Sequence, residues 1–365
     1  MAANDDSFSQ IVLPIGADEI GRAVNAAAAR TLFADYRSRL AENTRRRHDA
    51  DLASFGDFLV DAGLRRYPGA NHPEGLDELG NLSADPQAWK GLTWGMVQAF
   101  RAWLLHQGYA LGTVNLRLST VRTYARLAMQ AGAIPDSEAL RIREVKGYAH
   151  REATRIDEAR RAADTPTRLG LKKAEPARMS ESQAHQLKHL PGNTPTDRRD
   201  NLLMCLLLDH GLRVGEVVRL RTEDVDMQSG ILRFLRPKVS KVQRHKLSGD
   251  TLEALQKLLA RGEVERPGPL LRRMEKDGQP GRGLSVSGAN YRVGELGRLV
   301  GIDNLSPHDC RHYWATLAAA SGTDPFALQE AGGWASLAMP RRYVEEQKIA
   351  NQRVHLARAA HHDEG

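Results

Sequence analysis

Cysteine is nearly absent, with Cys205 and Cys310 the two in 365 residues. Two cysteines so far apart form no disulfide framework, so an intracellular, reducing, cytoplasmic setting is expected. No apolar run approaches the roughly 20 residues of a membrane-spanning helix, so no membrane partner is expected. Residues Met1–Gly16 lack the basic start and apolar stretch of a signal peptide. There is no internal repeat and no low-complexity tract. What is present is a 41% hydrophobic chain, enough for a real core, of a length that favours two domains. Lys and Arg exceed Asp and Glu by 52 to 45, a formal charge of +7. Such an excess favours a polyanionic partner, nucleic acid first, provided the charges cluster.

Residues 1–26 carry no sustained periodicity and are expected to form a flexible tail. Helical patterning then begins. Asn43 is a good N-cap, with Leu52, Phe55, Phe58 and Leu59 at helical spacing behind it. Residues 72–89 are rich in Pro, Gly, Asn and Asp, a loop composition. Thr93 is expected to cap a helix with Val97, Phe100, Leu104 and Leu105 on one face. Thr113 is expected to cap another with Leu118, Val121, Ala125 and Ala128 inward. The expectation is an all-helical domain over 27–140. A charged stretch over 141–178 follows, almost free of large apolar residues, which predicts a partly helical linker able to lie along a phosphate backbone. Ser180 and Gln183 form a capping-box pattern, opening a second domain over 179–350 and a tail over 351–365.

The polar faces of the first domain are basic. Arg45, Arg46 and Arg47 open one helix, while Asn115, Arg117, Ser119, Arg122, Thr123 and Arg126 line another. Arginine mixed with short hydrogen-bonding residues suits phosphate contact and base-edge reading. A solvated helix face is the plain alternative for either helix, and two such faces in one small domain favour DNA.

Four segments of the second domain carry chemistry. The buried helix over 197–210 breaks at Gly211 and is followed by Arg213 and Glu216, a phosphate ligand or a helix-junction ion pair. Ile231–Leu235 and His245–Leu247, joined by a polar stretch with Lys238 and Lys241 near its turn, form a hairpin pattern. Ser306 and Pro307 start a helix that places His308 and Arg311 three apart near its positive end. Zinc binding by His308, Cys310 and His312 fails on spacing, since side chains two apart on a helix diverge and no second ligand pair follows. Gly332-Gly333-Trp334 stops a helix, and Tyr343 lies nine residues on in a new one. Taken singly, Trp334 and Tyr343 are ordinary core aromatics.

The order Arg, Lys, His-x-x-Arg, Trp, Tyr is far more specific than any member of it. In Gly211–Glu216, the Lys238 hairpin, His308–Arg311 and Gly332–Trp334 with Tyr343, the chain resembles the tyrosine recombinase, or phage integrase, family. The resemblance extends to the basic helical domain, which looks like the family's SAM-like core-binding domain. One departure is visible: most members carry a second His where this chain has Trp334, as Cre-like members do. Trp keeps one N–H donor but is neither acid nor base. The resemblance implies a mostly α fold with a small β-hairpin: a helical DNA-binding domain and a mainly helical α/β catalytic domain closing as a C-shaped clamp. It further implies cleavage of double-stranded DNA at inverted-repeat sites, a 3′-phosphotyrosyl intermediate, a Holliday junction and a homotetramer on two sites. The segment Val344–Ala360 would be exchanged between protomers. Residues before 27 are too few for the extra arm-binding domain of some integrases, which implies a simpler Cre- or Xer-like architecture with accessory DNA-bending proteins optional. The role implied is integration, excision or resolution of mobile DNA.

The chemistry has its own logic. Breaking a phosphodiester without losing its energy to water requires a protein nucleophile. Tyr343 is the candidate, and with a phenol pKa near 10 it needs a proton acceptor, for which His308 is best placed. Arg213 and Arg311 can clamp the non-bridging oxygens as charge builds. Lys238, or Lys241 in the same loop, can protonate the leaving 5′ oxygen. Trp334 can donate its indole N–H, and Glu216 can orient Arg213. With arginines in the cation's place no metal or other cofactor is expected, and no carboxylate cluster suited to Mg²⁺ stands in these motifs. The nearest rival is a type IB topoisomerase that relaxes DNA; the helical domain in front and the Trp334 motif favour recombination. A catalytically inactive DNA-binding regulator on the same fold is opposed by a full set of catalytic positions. A metal-dependent nuclease would lose activity in EDTA.

Overall fold

The computed structural model describes residues 17–62, 81–169, 175–190, 192–260, 264, 267–275 and 279–346. The chain divides into two compact units, Met1–Lys172 and Lys173–Gly365.

The described part of the first unit is helical: α1 Ala17–Ser38, α2 Glu42–Asp61, α3 Trp94–His106, α4 Leu111–Gln130, α5 Asp136–Glu144 and α6 His150–Ala162. Its core gathers the expected faces, Leu52, Phe55 and Leu59 of α2, Val97, Phe100 and Leu104 of α3, Leu118, Val121 and Ala128 of α4, around Trp89 and Tyr124. The buried Trp89 indole donates to the Leu82 carbonyl at 2.8 Å, so its one polar atom is satisfied. Helix starts depart from expectation where side-chain caps are concerned. α2 begins with Ala41 in the cap position and α4 with Ala110, placing Asn43 and Thr113 inside the first turns. Thr93 does precede α3, without a side-chain cap bond. Burial of the apolar faces outweighs cap preference here.

Two segments are more ordered than their composition implies. α1 starts at Ala17, inside the expected tail over 1–26; the run Ala26–Ala29 has high helix propensity and Phe33 anchors it in the core. Residues 1–16 of that tail lie outside the described residues. Within the expected linker, Ile142 and Val145 enter the first core, so even a sparse apolar pattern docks when its few members share a face. Arg160 of α6 is 7% exposed, and it binds Asp157 at 3.1 Å and the Pro166 carbonyl. Of the expected loop over 72–89, residues 81–89 form two short 3₁₀ turns, Asn81–Ser83 and Pro86–Trp89, and the rest lies outside the described residues.

The second unit comprises α7 Glu181–Lys188, α8 Pro195–Leu208, α9 Val214–Val217, β1 Val225–Asp226, β2 Ile231–Arg236, β3 Lys241–Lys246, α10 Gly249–Leu259, β4 Arg272–Met274, β5 Pro280–Gly283, α11 Val286–Leu299, α12 Pro307–Ala320, α13 Pro325–Gly332 and α14 Ala338–Glu346. Strands β1, β2 and β3 form an antiparallel sheet in that order, and β4 pairs with β5. The hairpin register runs from Ile231 opposite Lys246 to Arg236 opposite Lys241. Every residue from Leu202 to Leu208 is buried, making α8 the axis of the core. Capping boxes at Ser180 with Gln183 and at Ser306 with Asp309 set the starts of α7 and α12. A smaller cluster of Ala315, Ala319, Leu328 and Tyr343 ties α12, α13 and α14 together. Most of the expected exchanged segment, Val344–Ala360, lies outside the described residues. Among the described residues no helix is long and apolar enough to cross a membrane.

Candidate active site

Arg213 occupies the N-cap of α9 because α8 must turn sharply at Gly211, whose φ of +57° is left-handed. The Trp314 ring fills the place a Cβ would take there, 2.2 Å away. Arg213 is held at three points. Its backbone N–H donates to Glu216 Oε2 at 2.8 Å, Nη1 to Glu216 Oε1 at 2.9 Å, and Nη2 to the Gly333 carbonyl at 2.9 Å. Its side chain keeps 24% of its exposure, so it is not sealed in the interior.

Arg311 sits in the second turn of α12, 5% exposed. It donates from Nη1 to the Gly211 carbonyl and from Nη2 to the Gly332 carbonyl at 2.6 Å, and it lies 4.4 Å over the Trp334 ring. Arg213 and Arg311 are thus tied to adjacent carbonyls of one turn. That turn is possible because Gly333 adopts φ +59°, and a Cβ on it would lie 2.3 Å from Arg236 Cδ. Burial, then the charges of Arg213 and Arg236, pull the Arg311 guanidinium down to about 9, still cationic at neutral pH.

Tyr343 is 2% exposed. Trp334 packs on it at 5.9 Å between ring centroids, and His312 meets it edge-on at 4.9 Å. Burial pushes its phenol above the usual range, and Arg311 opposes that in part. His308 stands exposed in the first turn of α12, whereas Arg311, three residues on, is buried. The ring beside Tyr343 is therefore that of His312, whose imidazole is lowered from its ordinary value chiefly by burial. His312 carries no motif signal beyond following Arg311.

The hairpin turn is a 3₁₀ element, Pro237–Val239, closed by Ser240 at φ +47°. Lys238 lies in that turn, and its side chain is outside the described residues. Lys241 is exposed and pairs with Glu330 at 3.3 Å. Missed entirely by the motif order is Arg236, fully buried at the end of β2. Its signal was present: Leu232, Phe234 and Arg236 alternate inward. Cys310 is buried. Among the described residues no group of three or more His, Cys, Asp or Glu is disposed to hold a metal ion.

The basic faces of the first unit divide into internal and outward residues. Asn115 uses both ends of its amide on the Tyr148 backbone, at 2.8 Å each. Arg117 binds Ser54 at 2.5 Å, approaches Asp51 at 3.8 Å and stacks 4.0 Å over Tyr109. Arg47 reaches Asp51 at 3.5 Å, and the half-buried Arg122 keeps a buried Nε without a hydrogen-bond partner. Arg45, Arg126 and Arg46, the last paired with Glu42, are exposed.

Residues 177–349 match the model of the phage integrase family. The match takes in most of the second unit, which is similar to that family. Among curated relatives, tyrosine recombinase XerD of Proteus mirabilis is 27% identical over 283 residues, 76% of this chain and 80% of that protein. Tyrosine recombinase XerC of Mycobacterium sp. (strain JLS) is 28% identical over 324 residues, 86% of this chain and 92% of that one. Among solved structures, the Tn1549 transposon integrase in complex with transposon right end DNA superposes with a TM-score of 0.55. It covers 86% of this chain and 94% of its own at 14% identity, a likeness of fold. The mainly helical architecture with small antiparallel sheets expected from the sequence is the one observed.

Proposed function

We propose that this chain is a tyrosine recombinase of the phage integrase type, a site-specific DNA recombinase that cuts and rejoins DNA with Tyr343 as nucleophile. The observation that carries the reading is the joint anchoring of Arg213 and Arg311 on Gly333 and Gly332, the turn that carries Trp334, with Tyr343 packed against Trp334. Two fixed cations beside a phenol suit one substrate feature, a phosphodiester whose non-bridging oxygens gain charge during attack.

In this reading Tyr343 Oη bonds to phosphorus as the bond to the 5′ oxygen breaks. The phenol proton passes to a histidine of α12, His308 by its place in the His-x-x-Arg motif or His312 by its contact with the Tyr343 ring, and the departing 5′ oxygen takes one from Lys238. A 3′-phosphotyrosyl link and a free 5′ hydroxyl result, and the reverse steps reseal the strand. A phenol raised by burial is neutral at pH 7, so attack depends on a base rather than on prior ionisation. Arg213 and Arg311 remain cationic through the step, and Glu216 keeps Arg213 in register. Arg45 and Arg46, exposed on α2, would contact phosphates, with Lys241 contributing from the hairpin. Asn115 and Arg117 support that surface from within. Inverted-repeat DNA sites and a homotetramer on two sites complete the proposal.

The test begins with DNA recovered covalently attached to the protein in its host. Its sequence supplies the site, and two copies of that site are then offered to purified protein. Recombinant products that require both copies are expected. Relaxation of supercoils by a monomer, with no recombinants from paired sites, would overturn the reading.

A further inference from the structure

Among the described residues of the second unit, Arg236 is the most completely buried charged residue, with no exposed surface. A cation in that position needs a reason, because burying a charge is costly unless every donor is matched. Here every arm of the guanidinium is bonded. Nε donates to Gln243 Oε1, Nη1 to Glu216 Oε2 at 3.1 Å and to the Gly332 carbonyl at 2.9 Å, and Nη2 to the Ala331 carbonyl at 2.6 Å. Besides Gln243, these acceptors are the two carbonyls that end α13 and the carboxylate that grips Arg213. Gly332 O also receives Arg311. The negative end of α13 therefore gathers Arg236 and Arg311, and Glu216 is shared by Arg236 and Arg213.

The connection runs in the other direction as well. Arg236 is the last residue of β2, directly before the turn that contains Lys238. Gln243, across the hairpin on β3, takes the Nε bond and donates to the Glu330 carbonyl of α13. One buried guanidinium thus joins the base of the hairpin, the Arg213–Glu216 pair and the Gly332–Gly333 turn. Burial, with Arg213 adding to it, pulls Arg236 down to about 10, against which Glu216 acts.

Resting on the proposed recombinase reading, we infer that Arg236 is a positioning residue. It touches no reacting atom and sets the orientation of Arg213, Arg311 and the Lys238 hairpin through Glu216 and the α13 carbonyls. Merely structural burial predicts a loss that adds to that of any distant change. Positioning predicts a loss of chemistry at saturating DNA that overlaps the loss caused by removing Arg213, because groups acting as one unit are not additive.

The experiment uses the full chain and an oligonucleotide site with a nick that traps the covalent adduct. Wild type, Arg236→Gln, Gln243→Leu, Arg213→Ala and the Arg213→Ala, Arg236→Gln double variant are compared at saturating DNA. Arg236→Gln is expected to bind the site within about threefold of wild type and to form adducts on the order of 30-fold more slowly. Gln243→Leu should show a milder loss of the same kind, and it serves if Arg236→Gln fails to fold. The double variant should be no more than about threefold slower than Arg213→Ala alone. Full multiplication of the two losses, or wild-type adduct rates in Gln243→Leu and Arg236→Gln, would overturn the inference. Absence of adducts in wild type would instead overturn the recombinase reading on which it rests.

Discussion

Replacing Arg311 with methionine separates what this residue does for the reaction from what it does for the fold. Arg311 is buried and lies near two other guanidiniums. A depression from 12.5 to about 9 means that below pH 9 the charged form is penalised in the folded state. At about 1.4 kcal/mol per unit this penalty is about 5 kcal/mol at pH 7, where folded and unfolded chains both carry the proton. Against it stand two hydrogen bonds from a charged donor, about 1.5–3 kcal/mol each. One acceptor, Gly332 O, keeps its bond from Arg236 after the change; the other, Gly211 O, loses Arg311. The opposing contributions cancel to within about 2 kcal/mol, so a methionine of similar length should leave stability within that range. Adduct formation should nevertheless fall on the order of a hundredfold or more, as when an oxyanion donor is lost. Denaturant melts and single-turnover adduct assays on the same preparations measure both. A melt showing destabilisation beyond about 5 kcal/mol would refute the cancellation. Adduct formation within tenfold of wild type would refute the clamp.

Other consequences follow from the same geometry. His210 is buried, bonded to Thr251 at 3.1 Å, and lowered to about 4 by burial. Its folded value lies below its unfolded value of 6.5. The unfolded chain therefore takes up the proton first, and stability present above pH 6.5 is lost as pH falls towards 4, about 3 kcal/mol in all. Chemical melts of wild type and His210→Gln between pH 7.5 and 4.5 should converge at the acid end, and parallel curves would contradict this. For the hairpin, a substrate with sulfur in place of the bridging 5′ oxygen needs no proton on departure. It should restore cleavage to Lys238→Ala and leave any defect of Lys241→Ala unchanged; the opposite pattern would transfer the acid role to Lys241.

How much of this was legible depends on whether a residue's role travels with its neighbours in sequence. Arg213, His308-x-x-Arg311 and Gly332-Gly333-Trp334 are recognisable because each sits at or next to a helix boundary with its own turn or cap chemistry, and Tyr343, inside α14, is recognisable by its spacing from Trp334. Their chain order is also specific. The β2–β3 hairpin was visible in its alternation, and α8 in its unbroken apolar run. Arg236 was hidden because an arginine beside a hairpin turn looks like edge charge; only the inward register of Leu232 and Phe234 gives it away. That His312, and not His308, lies against Tyr343 depends on how α12 meets α14, which no local pattern encodes. Asn115 and Arg117 had the composition of a DNA-facing surface, yet they are bonded within the first unit, because polar side chains serve long-range tertiary contacts as readily as ligands. α1 and α5 formed from stretches whose few apolar residues were enough once they shared a face with an existing core.

Tyr343 is the residue on which the proposed chemistry depends. Wild type and Tyr343→Phe, each incubated with a nicked site and resolved under denaturing conditions, compare adduct formation with site binding in one experiment. Stable protein–DNA adducts are expected for wild type and none for Tyr343→Phe, with site binding within a few-fold for both, since removing one buried hydroxyl disturbs packing little. Adducts of unchanged yield in Tyr343→Phe would contradict the assignment of Tyr343 as nucleophile.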